Sequence, residues 1–312
     1  MVSVVSTWLA RRDLPAGATR VHDAVHRHGD RTMAKKGWAV FPYADKAFDY
    51  AGDKLQKAWP KLHAGDLEPY PDEKHVAALL KANPGLGEDA AALAARLQEA
   101  WRDFHRGEFQ RAYESGSALK VLGASVAIKA AGIHATHLVE EGPARTARYE
   151  DLVRLADEAL ATLPNLVNSH YRRAFAMGRL SQSISIAKAL AQGLAGKVRE
   201  SLDSTLKMAP RHAEAMTALG LYHAEIVDKV GGMLARLTYG ANAADAEKHL
   251  KAALKLTPDS PIAWIEYGNG LLLLHGEKRE DDVAEAFEKA AGLKPRDAME
   301  ALDAAWAREQ LE

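Results

Sequence analysis

Apolar residues recur along this chain at helical spacing, and prolines punctuate them. Four prolines serve as anchors: Pro164, Pro210, Pro258 and Pro295. Counting back 12, 8, 5 and 4 residues gives Leu152, Ala156, Ala159 and Leu160 before the first. The same count gives Val198, Leu202, Thr205 and Leu206, then Ala246, Leu250, Ala253 and Leu254, then Val283, Phe287, Ala290 and Ala291. Fifteen of these sixteen positions are apolar, Thr205 being the exception. Offsets of 0, 4, 7 and 8 trace one face of an α-helix. Proline has no N–H to donate and disfavours helix in the residue before it, so each pattern predicts a helix that stops at its proline.

A second pattern follows each proline. Six residues after Pro210, Pro258 and Pro295 stand Met216, Trp264 and Ala301, and three later come Leu219-Gly220, Tyr267-Gly268 and Ala304-Ala305. After Pro164 the corresponding Tyr171 and Ala174 fall about one residue late. A bulky residue followed by a large–small pair lets two helices approach closely at the small position. The stretches "KMAPRHAEAMTALG" and "KLTPDSPIAWIEYG" are therefore the same junction twice: the second helix of one unit, a proline turn, and the first helix of the next. Helix pairs of this kind cannot bury their apolar faces alone and stack on their neighbours.

The pattern resembles the tetratricopeptide repeat, most closely at Trp264, Tyr267-Gly268, Phe287, Ala290 and Pro295. The proline spacings are 46, 48 and 37 (210−164, 258−210, 295−258), against about 34 for the standard unit. The excess lies between or lengthens the two helices of a unit, in "LSQSISIAKALAQGLAGK" and "IVDKVGGMLARLTYGAN". A narrower likeness covers residues 165–295. There Gly220, Tyr222, Tyr239-Gly240, Ala253 and Pro258, with the upstream "SHYRRAFAMGRLSQ", are similar to the repeat region of the regulator of microtubule dynamics family. Tyr171 stands where that family usually has Trp. The resemblance implies a tetratricopeptide adaptor domain, in some relatives contact with lipids or membranes, and no catalytic residues.

The expected fold is thus all-α: a right-handed tetratricopeptide-like solenoid with lengthened repeats, preceded by an N-terminal helical arm. The repeat domain is placed at 76–312. An early unit holds Trp101, Phe104, Gly107, Phe109, Ala112 and Tyr113, "GASVAIKAAGIHATHLV" opens the Pro164 unit, and Asp297 to Leu311 form a lone capping helix. Glu88 and Asp89 suit a helix N-terminus. The arm, 1–75, has one helix with Ala44, Ala47, Phe48, Ala51, Leu55 and Trp59 on one face. It ends in a Gly/Pro linker, "HAGDLEPYPDE", whose Leu67, Tyr70 and Pro71 lie along the solenoid.

Charge and composition then narrow the function. The chain has 312 residues and a net charge of −1, which argues against nucleic acid or an anionic membrane bound by bulk charge. It has no cysteine, so disulfides, iron–sulfur clusters, zinc–thiolate sites and cysteine nucleophiles are excluded. No apolar run approaches the roughly 20 residues of a spanning helix. The N-terminal order of apolar run before Arg11-Arg12 is the reverse of a secretory signal. A cytoplasmic location is expected; a leader removed upstream would leave no trace here.

Candidate chemistry is sparse. His22, His26 and His28 with Asp23 have metal-ligand spacing, as do His134, His137 and Glu141 at 0, 3 and 7 on one helix face. Each set is outweighed by an ordinary reading, a charged arm and a packed helix respectively. There is no HExxH, no G-x-S-x-G elbow and no phosphate loop. "VGGM" at 230–233 reads as a bend and "GEKREDD" as a solvated turn. No cofactor, metal or catalytic residue is assigned.

What remains is surface. The first helices of successive units line the concave face, placing Arg172, Arg173, Thr217, Leu221, Ile265, Asn269 and Leu272 in a groove. Arg172 or Arg173 with Asn269 offers a carboxylate clamp. The expected function is a non-enzymatic adaptor that binds a protein or peptide segment there. The rival is a lipid or small hydrophobic ligand held in a pocket walled by the inserted segments. A metal-dependent enzyme centred on His134 and His137 ranks third.

Overall fold

The computed structural model describes residues 38–43, 48–87 and 89–312. Among them there are helices and no strand. The first are α1 (Lys54–Leu62), α2 (Glu73–Ala82), α3 (Ala90–His105), α4 (Phe109–Ser117), α5 (Ala124–Leu138), α6 (Pro143–Thr162) and α7 (Val167–Ser183). Then come α8 (Ile186–Ala191), α9 (Leu194–Met208), α10 (Ala213–Val230), α11 (Gly232–Tyr239), α12 (Ala243–Leu256), α13 (Pro261–His275), α14 (Glu280–Gly292) and α15 (Ala298–Glu309).

The proline-anchored helices are α6, α9, α12 and α14. Each ends two or three residues before its proline, and none of the four prolines is helical. Leu152, Leu202, Leu250 and Phe287 are all buried, as are Ala156, Ala159, Thr205, Ala246, Ala253, Val283 and Ala290. The small positions work as the pairing requires. A Cβ on Gly220 would lie 2.6 Å from Leu250 Cγ, and one on Gly268 would lie 2.8 Å from Phe287 Cε2. In both units the glycine of the first helix receives the large residue eight positions before the next proline.

Packing follows chain order. α6 lies on α7, α7 on α9, α9 on α10, α10 on α12, α12 on α13, α13 on α14 and α14 on α15. Alternate contacts join α5 to α7, α10 to α13 and α13 to α15. The insertions become the short helices α8 and α11, and the second also lengthens α10. Helix starts are capped by side chains: Asp89 accepts from Ala92 N–H, Asn242 from Asp245 N–H and Asp297 from Glu300 N–H. Glu88 lies outside the described residues.

Three expectations change. The arm helix begins only at Lys54, because Gly52 sits at φ +61° and interrupts it. Phe48, Leu55 and Trp59 are buried while Ala51 is exposed, and Ala44 and Ala47 lie outside the described residues. The stretch read as linker enters the interior instead: His63 and Asp66 are buried, and Trp59 Nε1 donates to Glu68 O at 2.7 Å. Likewise α15 is no outer cap. Ala298 through Ala305 are all buried, and α15 returns to α3 at the start of the helical array. Met299 and Leu302 share one apolar cluster with Trp59, Trp101 and Phe104. The array closes on itself, so its last helix faces protein rather than solvent.

Candidate functional site

The helices surround a partly open cavity of about 230 Å³. Its wall comes from α5 (Ile133, His137), α7 (Phe175, Arg179), α10 (Thr217, Leu221, Ile226), α13 (Ala263, Glu266) and α15 (Met299, Asp303). The wall is mostly apolar. On one side α8 and α9 extend it through Ile186, Ala189, Leu190, Ala195 and Val198. Ile186 and Leu190 are 59% and 54% exposed, so the apolar wall continues to the surface at that rim. The second insertion contributes no residue between 231 and 240 to the lining.

Lys129, Arg172, Glu214 and Gly65 form the polar end of the cavity, and behind them lies a buried ionic cluster. The loop after α1 turns Asp66 and Glu68 inward. Between them Leu67 adopts φ +48°, a left-handed conformation that costs a non-glycine residue about 1–2 kcal/mol. The surrounding bonds hold it there. Asp66 Oδ2 accepts from Lys129 Nζ and from Arg172 Nη2, both at 2.6 Å. Asp66 Oδ1 accepts from His63 Nδ1 at 2.9 Å. Glu68 Oε2 accepts from Ser125 Oγ and Asn168 Nδ2, both at 2.6 Å. Glu214 accepts from Lys129 at 3.3 Å, and its own N–H donates to Gly65 O at 3.0 Å.

Burial alone would raise the Asp66 carboxyl, but Lys129, His63 and Arg172 hold it well below the usual carboxylate range. Glu68 has weaker support; burial raises it, with Arg172 opposing. Burial pushes the His63 imidazole down to about 4, with Asp66 opposing. His212 is likewise depressed to about 4 by burial, Asp66 again opposing. It stays neutral, with Nδ1 accepting from Ala215 N–H and Nε2 donating to Asn168 Oδ1 at 3.0 Å. A second relay runs outward from His63: Nε2 lies 3.3 Å from His105 Nε2, and His105 Nδ1 donates to Asp297 at 2.8 Å.

The seven residues expected to line an open groove do not form one. Arg172 is 2% exposed and committed to Asp66 and Glu68. Thr217 and Leu221 do line the cavity, from a buried position. Ile265, Asn269 and Leu272 are buried but stand off its wall, and Asn269 Nδ2 donates to Glu266 at 2.8 Å. Arg173 faces the other way, to Asp157 and Ser201 on α6 and α9. Arg172 and Asn269 therefore share no clamp. The physical reason is closure: side chains that would face solvent in an open array here meet the opposite wall or the inward loop.

The histidine pair diverges as well. His134 is fully buried, with Nδ1 accepting from Arg148 at 2.7 Å and Nε2 donating to Ala39 O at 3.2 Å. Burial and the Arg148 charge push it down to about 4. His137 turns instead to Asp303, at 3.1 Å, and Glu141 to Arg145, at 3.5 Å. Their ring nitrogens and carboxylate do not converge, so the metal reading of this triad is withdrawn. His22, His26 and His28 lie outside the described residues. Among those described, no three His, Asp or Glu side chains are grouped to hold a metal ion.

Sequence reasoning passed over Asp66, Lys129, Glu214 and Arg179. Lys129 carried a signal: it is the one charge in the otherwise apolar "GASVAIKAAGI", and such a residue is buried only when paired. Asp66 carried none, since a Gly/Pro loop gives no period to read.

No protein-family model matches the chain, and no curated protein matches it. Among the described residues, no helix is long and apolar enough to cross a membrane.

Proposed function

We propose that this protein is a tetratricopeptide-like superhelix whose interior cavity binds a small amphiphilic molecule, with an apolar body and one polar end. The observation that carries the reading is the mostly apolar cavity of about 230 Å³, open at one rim, with polar groups at defined places on its wall. That combination is the usual form of a small-molecule site. The first insertion supplies one side of it, whereas residues 231–240 of the second, also expected to wall the pocket, do not line it. The peptide-adaptor reading has less support. A peptide needs an open concave surface, and here that space is taken by the chain's own loop at 63–68 and by α15.

The test is uptake of a neutral solvatochromic dye such as Nile red by the purified chain. Saturable binding of one dye per protein is expected. Ala218→Trp, which projects an indole from the cavity wall, is expected to abolish it while leaving the helical signal intact. Failure to take up any amphiphile, neutral or charged, would sink the reading.

A further inference from the structure

Five basic side chains line the cavity: Lys129, His137, Arg172, Arg179 and Lys229. Four are committed within the protein. Lys129 and Arg172 hold Asp66, Lys229 lies 3.7 Å from Glu225, and His137 lies 3.1 Å from Asp303. Arg179 is different. Among the described residues its guanidinium makes no hydrogen bond and no salt bridge; its recorded close contact is the Phe175 ring, whose centroid lies 5.6 Å from the guanidinium carbon. Gln182, three residues on, is already donating to Glu225 at 2.9 Å.

Glu266, on the same wall, does not fill the gap. Glu266 accepts from Asn269, and burial pushes its carboxyl up, with Arg179 the first opposing charge. It forms no salt bridge with Arg179. A half-buried guanidinium beside apolar surface gains most from a planar anion, because its fork pairs with carboxylate or phosphate oxygens two at a time.

We propose that Arg179 is the headgroup anchor of the cavity and that the ligand is an anionic single-chain amphiphile, a carboxylate or phosphate joined to an apolar tail. The proposal rests on the cavity being a ligand site. Its polar end sits at α7 and its tail lies along Ile186, Leu190, Ala195 and Val198, toward the open rim.

The experiment is titration calorimetry of the full chain with dodecanoate, dodecyl phosphate, dodecanol, dodecylamine and inorganic phosphate. Both anionic amphiphiles are expected to bind at least about tenfold more tightly than the alcohol or the amine, the scale of a charge-assisted bidentate pair. Whichever of the two binds more tightly identifies the headgroup. Arg179→Gln is expected to erase that preference, so that the anionic amphiphiles bind no more tightly than dodecanol; Arg179→Lys is expected to keep part of it. A preference that survives in Arg179→Gln overturns the assignment, as does inorganic phosphate binding as tightly as dodecyl phosphate. Dodecanol binding as well as dodecanoate overturns the headgroup and leaves the cavity reading standing. If no amphiphile binds, both fall together.

Discussion

His105 Nδ1 lies 2.8 Å from Asp297 Oδ2 although 192 positions separate them in the chain. Both side chains are buried, so this contact ties the start of the helical array to its end. Asp297 also caps α15, accepting from Glu300 N–H at 2.9 Å. Asp297→Ala removes both roles and leaves a buried imidazole without its acceptor. The expected cost is about 1–3 kcal/mol for leaving a buried hydrogen-bonding group unsatisfied plus about 1 kcal/mol for the cap. His105→Ala is expected to cost less, since the cap survives. Denaturant titrations order the two, and hydrogen exchange should show α15 losing protection first. Equal effects from both would mean that the cap contributes nothing.

Asp66 is the centre of the polar floor, and its partners come from three different elements. Arg172→Met leaves a buried carboxylate with Lys129 and His63 alone and is expected to destabilise by about 3–5 kcal/mol. Adding Asp66→Asn removes the charge that Arg172 balanced, so the double variant is expected to lose less than the sum of the single ones. A double-mutant cycle measures this coupling. Strict additivity would show that the cluster does not act as a unit.

Gly220 and Gly268 test the packing rule directly. Alanine at Gly220 would place a methyl 2.6 Å from Leu250 Cγ and 3.0 Å from the Ala246 carbonyl oxygen. Part of that clash is backbone, which cannot rotate away. Gly220→Ala is expected to cost about 1–3 kcal/mol, as overpacking does, although alanine favours helix. At Gly268 the clash is with the Phe287 ring, so Gly268→Ala in a Phe287→Leu background should recover part of its loss. Thermal melts of the three variants give the answer; a stabilised Gly220→Ala would refute the close approach.

Those glycines mark what the sequence made legible. Proline terminators and the 0, 4, 7, 8 spacing are local consequences of helix geometry, and they placed α6, α9, α12 and α14 and their buried faces. Closure was not legible. It depends on α15 meeting α3 and on a loop reaching Lys129 and Arg172, contacts between residues far apart that follow no period. The same blindness misplaced the arginines of α7. Arg172 and Arg179 stand seven apart on one face of α7, and only the inward turn of Asp66 decides that the first is spent and the second is not.

Acid should destabilise the fold through its buried histidines. His63, His134, His212 and His223 are all depressed to about 4, in each case chiefly by burial. Unfolded, each would titrate near 6.5. Between those values the unfolded chain binds protons that the folded chain refuses, and stability falls as pH drops through that window. Glu300 works the other way. Burial raises it to about 7, so the folded state holds its proton where the unfolded chain, titrating near 4.3, releases it. Glu68, Glu266, Asp103 and Glu309, also raised by burial, act in the same sense as Glu300, while Asp66 and Asp297, held below the usual carboxylate range, act with the histidines. The four histidines are expected to prevail, with stability lost from about pH 6.5 down to about 4. Denaturant midpoints measured across that range should decline steadily, and His212→Gln should flatten the slope. Glutamine can still accept from Ala215 N–H or donate to Asn168, but it cannot take up a proton. A midpoint constant from pH 7 to 5 would mean that these histidines do not titrate as their surroundings require.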